Sequence, residues 1–351
     1  MLKEIKIGDF IISETSPAFI IAELSTNHLQ NLNIAKESIK AIEKTGANAV
    51  KVQTYRPESM TLDSDLEIYQ TRKDSLWAGR KLIDVYREGA LPYEWHAELK
   101  KIAEDLGLVF FSTPFDVYDV EFLESLRIPA YKVASMEILD IPLIAHIAKK
   151  GKPIILSTGI AEKEDIQLAI DTCLQENNQQ IIILKCTSSY PTPYEDAHLK
   201  NIVWIFEKYK TWVGLSDHTQ DIIAPIAAIT LGAKVIEKHF ILDKSLKSLD
   251  ASFSLDVNQF TNMVDAIRNT EKLLGNHQYQ VTDKMKNARI SSRSILVVKN
   301  IKKGEILTSD NIKVLRPGYG LHPKYYYKVI GKKAASDLPF GTPLQWNDII
   351  K

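Results

Sequence analysis

Eight short apolar runs, each closing on polar or charged residues, constrain what this chain can fold into more than any other feature. They occupy residues 19–25, 49–55, 108–115, 130–135, 153–159, 181–187, 213–218 and 235–240. They are rich in Val, Ile and Phe and mostly apolar on both faces, as strands of an all-parallel sheet are. Helical patterns lie between them. Residues 33–45 have helical spacing with Gly46 just beyond, and 93–106 follow Pro92 and end at Gly107, the asymmetry expected of a helix. Residues 162–175 and 257–274 fit the same pattern. Eight strands each followed by a helix predict an α/β fold of the TIM (β/α)8 barrel type rather than a doubly wound sheet. In a barrel the polar strand ends meet at the C-terminal mouth. Glu23, Lys51, Gln53, Thr113, Lys132, Ser135, Ser157, Thr158, Thr187, Ser188, Asp217, His218, Glu237 and His239 are therefore expected around one cavity.

A chain of 351 residues accommodates a large domain and a small one. Lys+Arg and Asp+Glu balance at 44 each, which argues against an extended nucleic-acid or anionic-membrane surface. No run is long enough to span a membrane, and the first residues lack the apolar core of a signal peptide. Cys173 and Cys186 are too few for a disulfide framework, so the sequence reads as cytoplasmic. Residues 5–14 form a short ribbon. Residues 56–91, with Trp77, Arg80 and Tyr86, read as an ordered loop facing a substrate. The barrel is expected over 1–275, a polar linker over 276–290, and a small β-rich domain over 291–351 with strands at 294–298, 312–315 and 329–334. Gly304 to Leu307 leading to Ile312 is echoed by Gly341 to Leu344 leading to Ile349, which predicts pseudo-symmetry. So small a domain is expected to lean on the barrel or on a second subunit.

Residues 214–240 read as strand, helix, strand, with His218 and His239 each at a strand exit. Glu237 and His239 share a face while Lys238 points away. Two imidazoles beside carboxylates suit a divalent transition metal. Lys51 and Lys132, with hydroxyls of Thr113, Ser135, Ser157, Ser188 and Tyr190, suit a small multiply charged anion. No phosphate-binding glycine loop indicates a nucleotide. Glu23 and Glu237 are acid/base candidates or ion-pair partners of the two lysines. The residues alone thus indicate metal-assisted chemistry on a small phosphorylated or carboxylated substrate. A metal-dependent sugar aldolase or isomerase remains open at this point.

Several motifs narrow this. Ile21-Ala22-Glu23-Leu24-Ser25-Thr26-Asn27-His28, Lys51-Val52-Gln53-Thr54, Ser112-Thr113-Pro114-Phe115 and Tyr131-Lys132-Val133-Ala134-Ser135 resemble the sialic acid synthase family. So do Leu156-Ser157-Thr158-Gly159, Lys185-Cys186-Thr187 with Tyr190-Pro191-Thr192, Ser216-Asp217-His218-Thr219 and Glu237-Lys238-His239-Phe240. Ile301-Lys302-Lys303-Gly304 and Arg316-Pro317-Gly318-Tyr319-Gly320 resemble that family's antifreeze-like (SAF) domain. The resemblance runs in order along essentially the whole chain.

It implies an enzyme that condenses phosphoenolpyruvate with an aldose and water, giving a nine-carbon 2-keto acid and phosphate. It assigns His218 and His239 to a metal, manganese most often, with magnesium or cobalt as substitutes, and Glu23 to proton transfer. Lys51, Thr113, Lys132, Ser135, Ser157, Ser188 and Tyr190 would hold phosphoenolpyruvate. Asp250 and Glu237 would face the sugar and a metal-bound water. Gln53, Phe115 and Asp217 belong to the motifs that surround the substrates. Ser188 stands where neuraminate-type members usually have Asn. The resemblance further implies a domain-swapped homodimer with Arg316 reaching the partner's sugar site. The stretch Ser248-Leu249-Asp250-Ala251-Ser252-Phe253-Ser254-Leu255 departs from the neuraminate type. With Leu76-Trp77, Arg80-Lys81-Leu82 and Pro92-Tyr93-Glu94-Trp95-His96 it resembles the branch that makes pseudaminic acid. A phenylalanine among small side chains suits a 6-deoxy bis-acetamido sugar, with the legionaminic and N-acetylneuraminic branches as alternatives.

Overall fold

The computed structural model describes residues 2–73, 77–275 and 279–350. Leu76, and the first three residues of the expected linker, lie outside them. The chain divides into two units, Met1–Gly275 and Asn276–Lys351.

The first unit opens with an antiparallel hairpin of β1 (Ile5–Ile7) and β2 (Phe10–Ile12). Eight parallel strands follow: β3 (Phe19–Glu23), β4 (Ala49–Thr54), β5 (Val109–Pro114), β6 (Tyr131–Val133), β7 (Ile154–Ser157), β8 (Ile181–Cys186), β9 (Trp212–Asp217) and β10 (Val235–His239). They pair in chain order, and β10 closes the barrel onto β3. Each lies within an expected apolar run or one residue outside it. The helices follow the sequence pattern too. Leu32–Lys44 is capped by Asn31, whose side chain accepts from the amides of Asn33 and Ile34, and Val257–Leu274 opens on a capping box built by Asp256 and Gln259. The helix expected over 93–106 begins as a 3-10 turn, Tyr93–Trp95, before His96–Asp105.

Side-chain alternation divides the strands between two cores. Ile20, Ala22, Val50, Val52 and Ile236 face outward and pack with the helices. Phe19, Ile21, Ala49, Phe111, Ile155, Ile182, Leu184, Trp212 and Val235 fill the lower interior, together with Ile5, Ile7 and Ile12 of the hairpin. The ribbon is therefore a plug for the N-terminal end, and the Trp212 indole donates to the Lys3 carbonyl at 2.8 Å. Gly214 is required here, because a Cβ would lie 2.2 Å from the Val235 carbonyl oxygen. Above this apolar layer the inward positions turn polar: Glu23, Lys51, Thr113, Lys132, Ser157, Ser216 and Glu237 are all buried. Among the described residues no helix is long and apolar enough to cross a membrane.

The second unit has its own core, including Ile295, Val297, Leu307, Ile312, Val329, Leu344 and Ile349. β11 (Ser294–Val297) and β12 (Ile312–Leu315) pair antiparallel. The stretch expected as linker contains a helix, Asp283–Ala288. The strand expected over 329–334 is not formed. Val329 ends a short helix, Tyr326–Val329, Gly331 takes φ +83°, and only Lys333 and Ala334 make isolated bridges. Its apolar residues are buried by a helix end and a turn, which a period-2 reading cannot separate from a strand. The echo is real in three dimensions. Gly304 and Gly341 have φ of 85° and 86°, Leu307 and Leu344 are both fully buried, and Asn311 and Asp348 each accept from the amide three residues earlier at 2.7 Å.

The plug has a measurable consequence. Ile7 is 0% exposed, so Ile7→Ala should cost about 2–5 kcal/mol, read as a lower chemical-unfolding midpoint. The polar layer lies above the cavity this creates, so ligand binding at the mouth should survive in the folded fraction.

Candidate active site

The polar ends of the strands surround a cavity of about 270 Å³ at the mouth. Lys51 stands at its centre. Its ammonium touches Glu23 Oε2, donates to Thr113 Oγ1 at 3.1 Å and lies 3.8 Å from Glu237 Oε1. Lys132 approaches the same Glu237 oxygen at 3.6 Å, and the Ser216 hydroxyl donates to it at 3.1 Å. Register dictates this grouping: β3 sets Glu23 beside Lys51 and beside His239, while β4 sets Gln53 beside Thr113.

Burial and charge tune the groups in opposite directions. Burial lifts the affinity of Glu23 for a proton despite Lys51. Glu237 is equally buried, but Lys132, Lys51 and the histidines overcome that effect and keep it ionised. For Lys51 the adjacent Glu23 and Glu237 outweigh desolvation and hold the ammonium charged, whereas desolvation prevails at Lys132 and lowers its value. Two carboxylates and two amines thus have distinct protonation behaviour within one cavity.

On one side of this cluster, Lys132, Ser135 and Ser157 form a donor-rich recess. The Ser157 hydroxyl is buried with no hydrogen-bond partner among the described residues, as a donor awaiting an anion would be. Ser135 Oγ accepts from the Gly159 amide at 3.0 Å. Gly159 must be bare, since a Cβ there would fall 2.2 Å from Ser188 Oγ and 2.6 Å from Ser135 Oγ. Ser188 stands at that position and is not among the side chains lining the cavity.

On the other side stand the histidines, with ring centroids 5.3 Å apart. His218 Nδ1 donates to the Thr187 carbonyl at 3.2 Å, leaving Nε2 as a lone pair, and burial keeps the ring neutral. His239 Nδ1 lies 3.5 Å from Asp250 Oδ2, an ion-pair rather than hydrogen-bond distance. A carbonyl behind one imidazole and a carboxylate behind the other is the arrangement that orients metal-ligating histidines. Among the described residues no three His, Cys, Asp or Glu side chains converge as a ready-made metal group. Two imidazoles with this backing could serve as two protein ligands of a divalent ion, whose other positions would fall to water and substrate. Phe253, 1% exposed, packs against both rings and against Tyr190. Its segment is tied down through Asn27, whose amide donates to the Phe240 carbonyl at 2.7 Å and to Ser254 Oγ at 2.9 Å while Ser248 donates to its oxygen.

Gln53, Phe115, Tyr190 and Asp250 also line the cavity, as do Met60, Thr71, Trp77, Leu82, Val85 and Tyr86 of the long connection. Arg80 instead pairs with Glu88 at 2.6 Å. Besides Ser188, three strand-end residues do not join the mouth. Asp217 turns to the helix side and pairs with Lys238 at 2.5 Å, because alternation along β9 sends its neighbours Ser216 and His218 inward. Thr158 and Thr187 lie outside the barrel, donating to the carbonyls of Leu184 and Asp196. Arg316 is an exposed residue of the second unit, just beyond β12. Sequence reasoning missed Ser25, Thr26, Tyr55 and Glu137, all cavity-lining. Glu137 sits in a 3-10 turn, Met136–Leu139, directly after β6. A carboxylate just after the Tyr131–Ser135 motif was the available signal.

Burial pushes the Glu137 carboxyl up to about 7, and its Oε2 has no partner among the described residues. A carboxyl that holds its proton more tightly when folded loses stability as pH rises from its unfolded value through that point. Glu137→Gln should therefore match wild type near pH 4 and exceed it by about 1–3 kcal/mol at pH 8, measured by urea unfolding at both pH values.

Comparison with known proteins agrees with this geometry. The NeuB family model matches residues 38–279, and the SAF domain model matches residues 292–350. The chain is 47% identical over 343 residues to a pseudaminic acid synthase of Campylobacter jejuni, covering 98% of this chain and 99% of that protein. It is 48% identical over 334 residues to a pseudaminic acid synthase of Helicobacter pylori, covering 95% and 98%. Among solved structures, N-acetylneuraminic acid synthetase of Leptospira borgpetersenii superposes with a TM-score of 0.73 at 29% identity, covering 81% of this chain and 94% of that one. A closed parallel barrel with this mouth, followed by an SAF domain, places the chain in the NeuB family of sugar acid synthases.

Proposed function

We infer that this protein is a pseudaminic acid synthase, condensing phosphoenolpyruvate with 2,4-diacetamido-2,4,6-trideoxy-L-altrose and water to give pseudaminic acid and phosphate. One observation carries the reading: a recess of buried donors and a histidine–carboxylate–aromatic half share a single cavity, with the Glu23–Lys51 pair between them. The identity of 47–48% with two pseudaminic acid synthases, against 29% with the neuraminic acid synthetase, supports the choice of sugar.

Lys132, Ser135, Ser157, Lys51 and Thr113 bind the phosphate and carboxylate of phosphoenolpyruvate, with Tyr190 at the rim and Ser188 behind Ser135 and Gly159. The sugar lies against Gln53, Phe115, Asp250 and Phe253. In the reaction C3 of phosphoenolpyruvate bonds to the aldehyde carbon, water adds at C2, and phosphate leaves with the bridging oxygen. His218 and His239 would hold a divalent ion, manganese by preference, which polarises a carbonyl oxygen as a Lewis acid. Glu23, whose burial favours the protonated form, supplies a proton to the developing alkoxide and accepts one from the attacking water. Lys51 keeps the resulting carboxylate compensated. Glu237 stays ionised between two ammonium groups and faces the cationic character that grows at C2. The protein acts in the cytoplasm as a homodimer, and Arg316 completes the sugar site of the partner subunit.

Substrate choice is the direct test. The specificity constant for the trideoxy altrose should exceed that for N-acetylmannosamine by several orders of magnitude, measured as phosphate release. A preference for N-acetylmannosamine would overturn the assignment of the sugar. The dimer is tested by mixing Arg316→Ala with Glu23→Ala, each inactive alone. Exchange gives heterodimers with one intact site, so activity should return to a fraction of wild type. No recovery, despite exchange confirmed by tag pull-down, rules out action in trans.

A further inference from the structure

Asp217 and Lys238 lie directly opposite each other in the β9–β10 register. Both side chains point to the helix side of the barrel wall, and their exposures are only 3% and 0%. Each is followed by one of the two histidines. Asp217 is flanked by Ser216 and His218, and Lys238 by Glu237 and His239. Alternation therefore makes the outward ion pair and the inward site two faces of the same four-residue joint.

The pair also builds the turn that carries His218. Asp217 Oδ1 accepts from the Thr219 amide at 3.1 Å, and Oδ2 accepts from the Thr219 hydroxyl at 3.0 Å and from Lys238 Nζ at 2.5 Å. Lys238 donates as well to the Thr219 carbonyl. The Thr192 amide donates to the His218 carbonyl at 2.9 Å, and His218 Nδ1 is held by Thr187. The backbone on both sides of His218 is thus fixed from β10. Lys238 ties it to the strand position immediately before His239.

Such a buried pair is not needed for stability as such. Apolar residues of similar volume often serve the fold equally well, whereas removal of one partner leaves an uncompensated charge. What an ion pair supplies and an apolar contact does not is a defined register and orientation. We propose that Asp217 and Lys238 are positioning residues, a clamp on the outer face of the barrel that sets the separation and orientation of the His218 and His239 imidazoles. This rests on the reading of those histidines as metal ligands and goes beyond it, since neither clamp residue touches the cavity.

The test uses the full-length protein and cobalt(II), whose visible absorption reports coordination geometry. Wild type should bind Co2+ with a defined spectrum. The double variant Asp217→Leu/Lys238→Met replaces the pair by apolar side chains and should remain folded. It should lose about 10- to 100-fold in Co2+ affinity, with an altered spectrum and a lower kcat but little change in the KM for phosphoenolpyruvate. Lys238→Arg, which keeps the charge, should restore most of the affinity and spectrum. Should the double variant not fold, Asp217→Asn, which keeps the shape of the Thr219 cap, is expected to show the same loss. A folded variant with wild-type affinity, spectrum and kcat overturns the clamp alone. Absence of Co2+ binding by wild type overturns the metal reading and this inference with it.

Discussion

The mouth depends on Lys51 staying charged inside the barrel. An ammonium 3% exposed is tolerable only where polar and charged partners compensate it, and here ionised Glu237 and the adjoining Glu23 carboxyl do so from the two strands beyond one edge of β4. That triad fixes the other groups in turn. Glu237 compensates Lys132 as well, so the donors facing Ser157 and the carboxylate facing the histidines belong to one electrostatic unit. An incoming dianion then adds to a cluster already near balance. It binds through the donors that have no partner, rather than through excess charge of the protein.

Such a cluster needs a dry floor and a rigid wall. The hairpin provides the floor, because Ile5, Ile7 and Ile12 fill the barrel below the first polar layer. Without it water would enter from the N-terminal end and weaken every interaction above. The wall is rigid because the strands are hydrogen-bonded on both sides all the way round. Register, and with it the spacing of Glu23, Lys51 and Thr113, is set by the sheet and not by the loops.

Much of this was legible in the residues. The short apolar runs identify eight strands to within two residues at their ends. The polar ends identify the charged centre of the cavity, and Glu237 and His239 were correctly placed on the face opposite Lys238. What was not legible follows from the same periodicity. Asp217 is next to a cavity residue in sequence, but adjacency along a strand means opposite faces, and only the strand's phase decides which residue is inside. Thr158 continues the outward phase of Ile154 and Leu156, and Thr187 that of Ile181 and Ile183, so only their polar character suggested a place at the mouth. Glu137 lies in a turn, where no period exists to follow. In the second unit Val329 and Ala334 are buried, as a strand would require, yet a helix end and a glycine turn bury them just as well.

Phe253 shows how the specificity segment and the histidines are one construction. Its ring packs near His218, His239 and Tyr190, so it both shields the imidazoles from water and lines the cavity beside them. The segment has no regular secondary structure around Phe253 and gains its fixity from contacts to neighbouring elements. Leu255 bridges Phe240, Ser254 bonds to Asn27 and to the Asp250 carbonyl, and Asp250 faces His239. A loop held in this way is anchored to the ends of β3 and β10, the strands that carry Glu23 and His239. Changes at Phe253 therefore cannot be confined to substrate choice, because the ring that lines the cavity also packs the metal-ligand candidates. Selectivity in such a site is altered more safely at Leu249 or Tyr55, which line the cavity without stacking on either histidine.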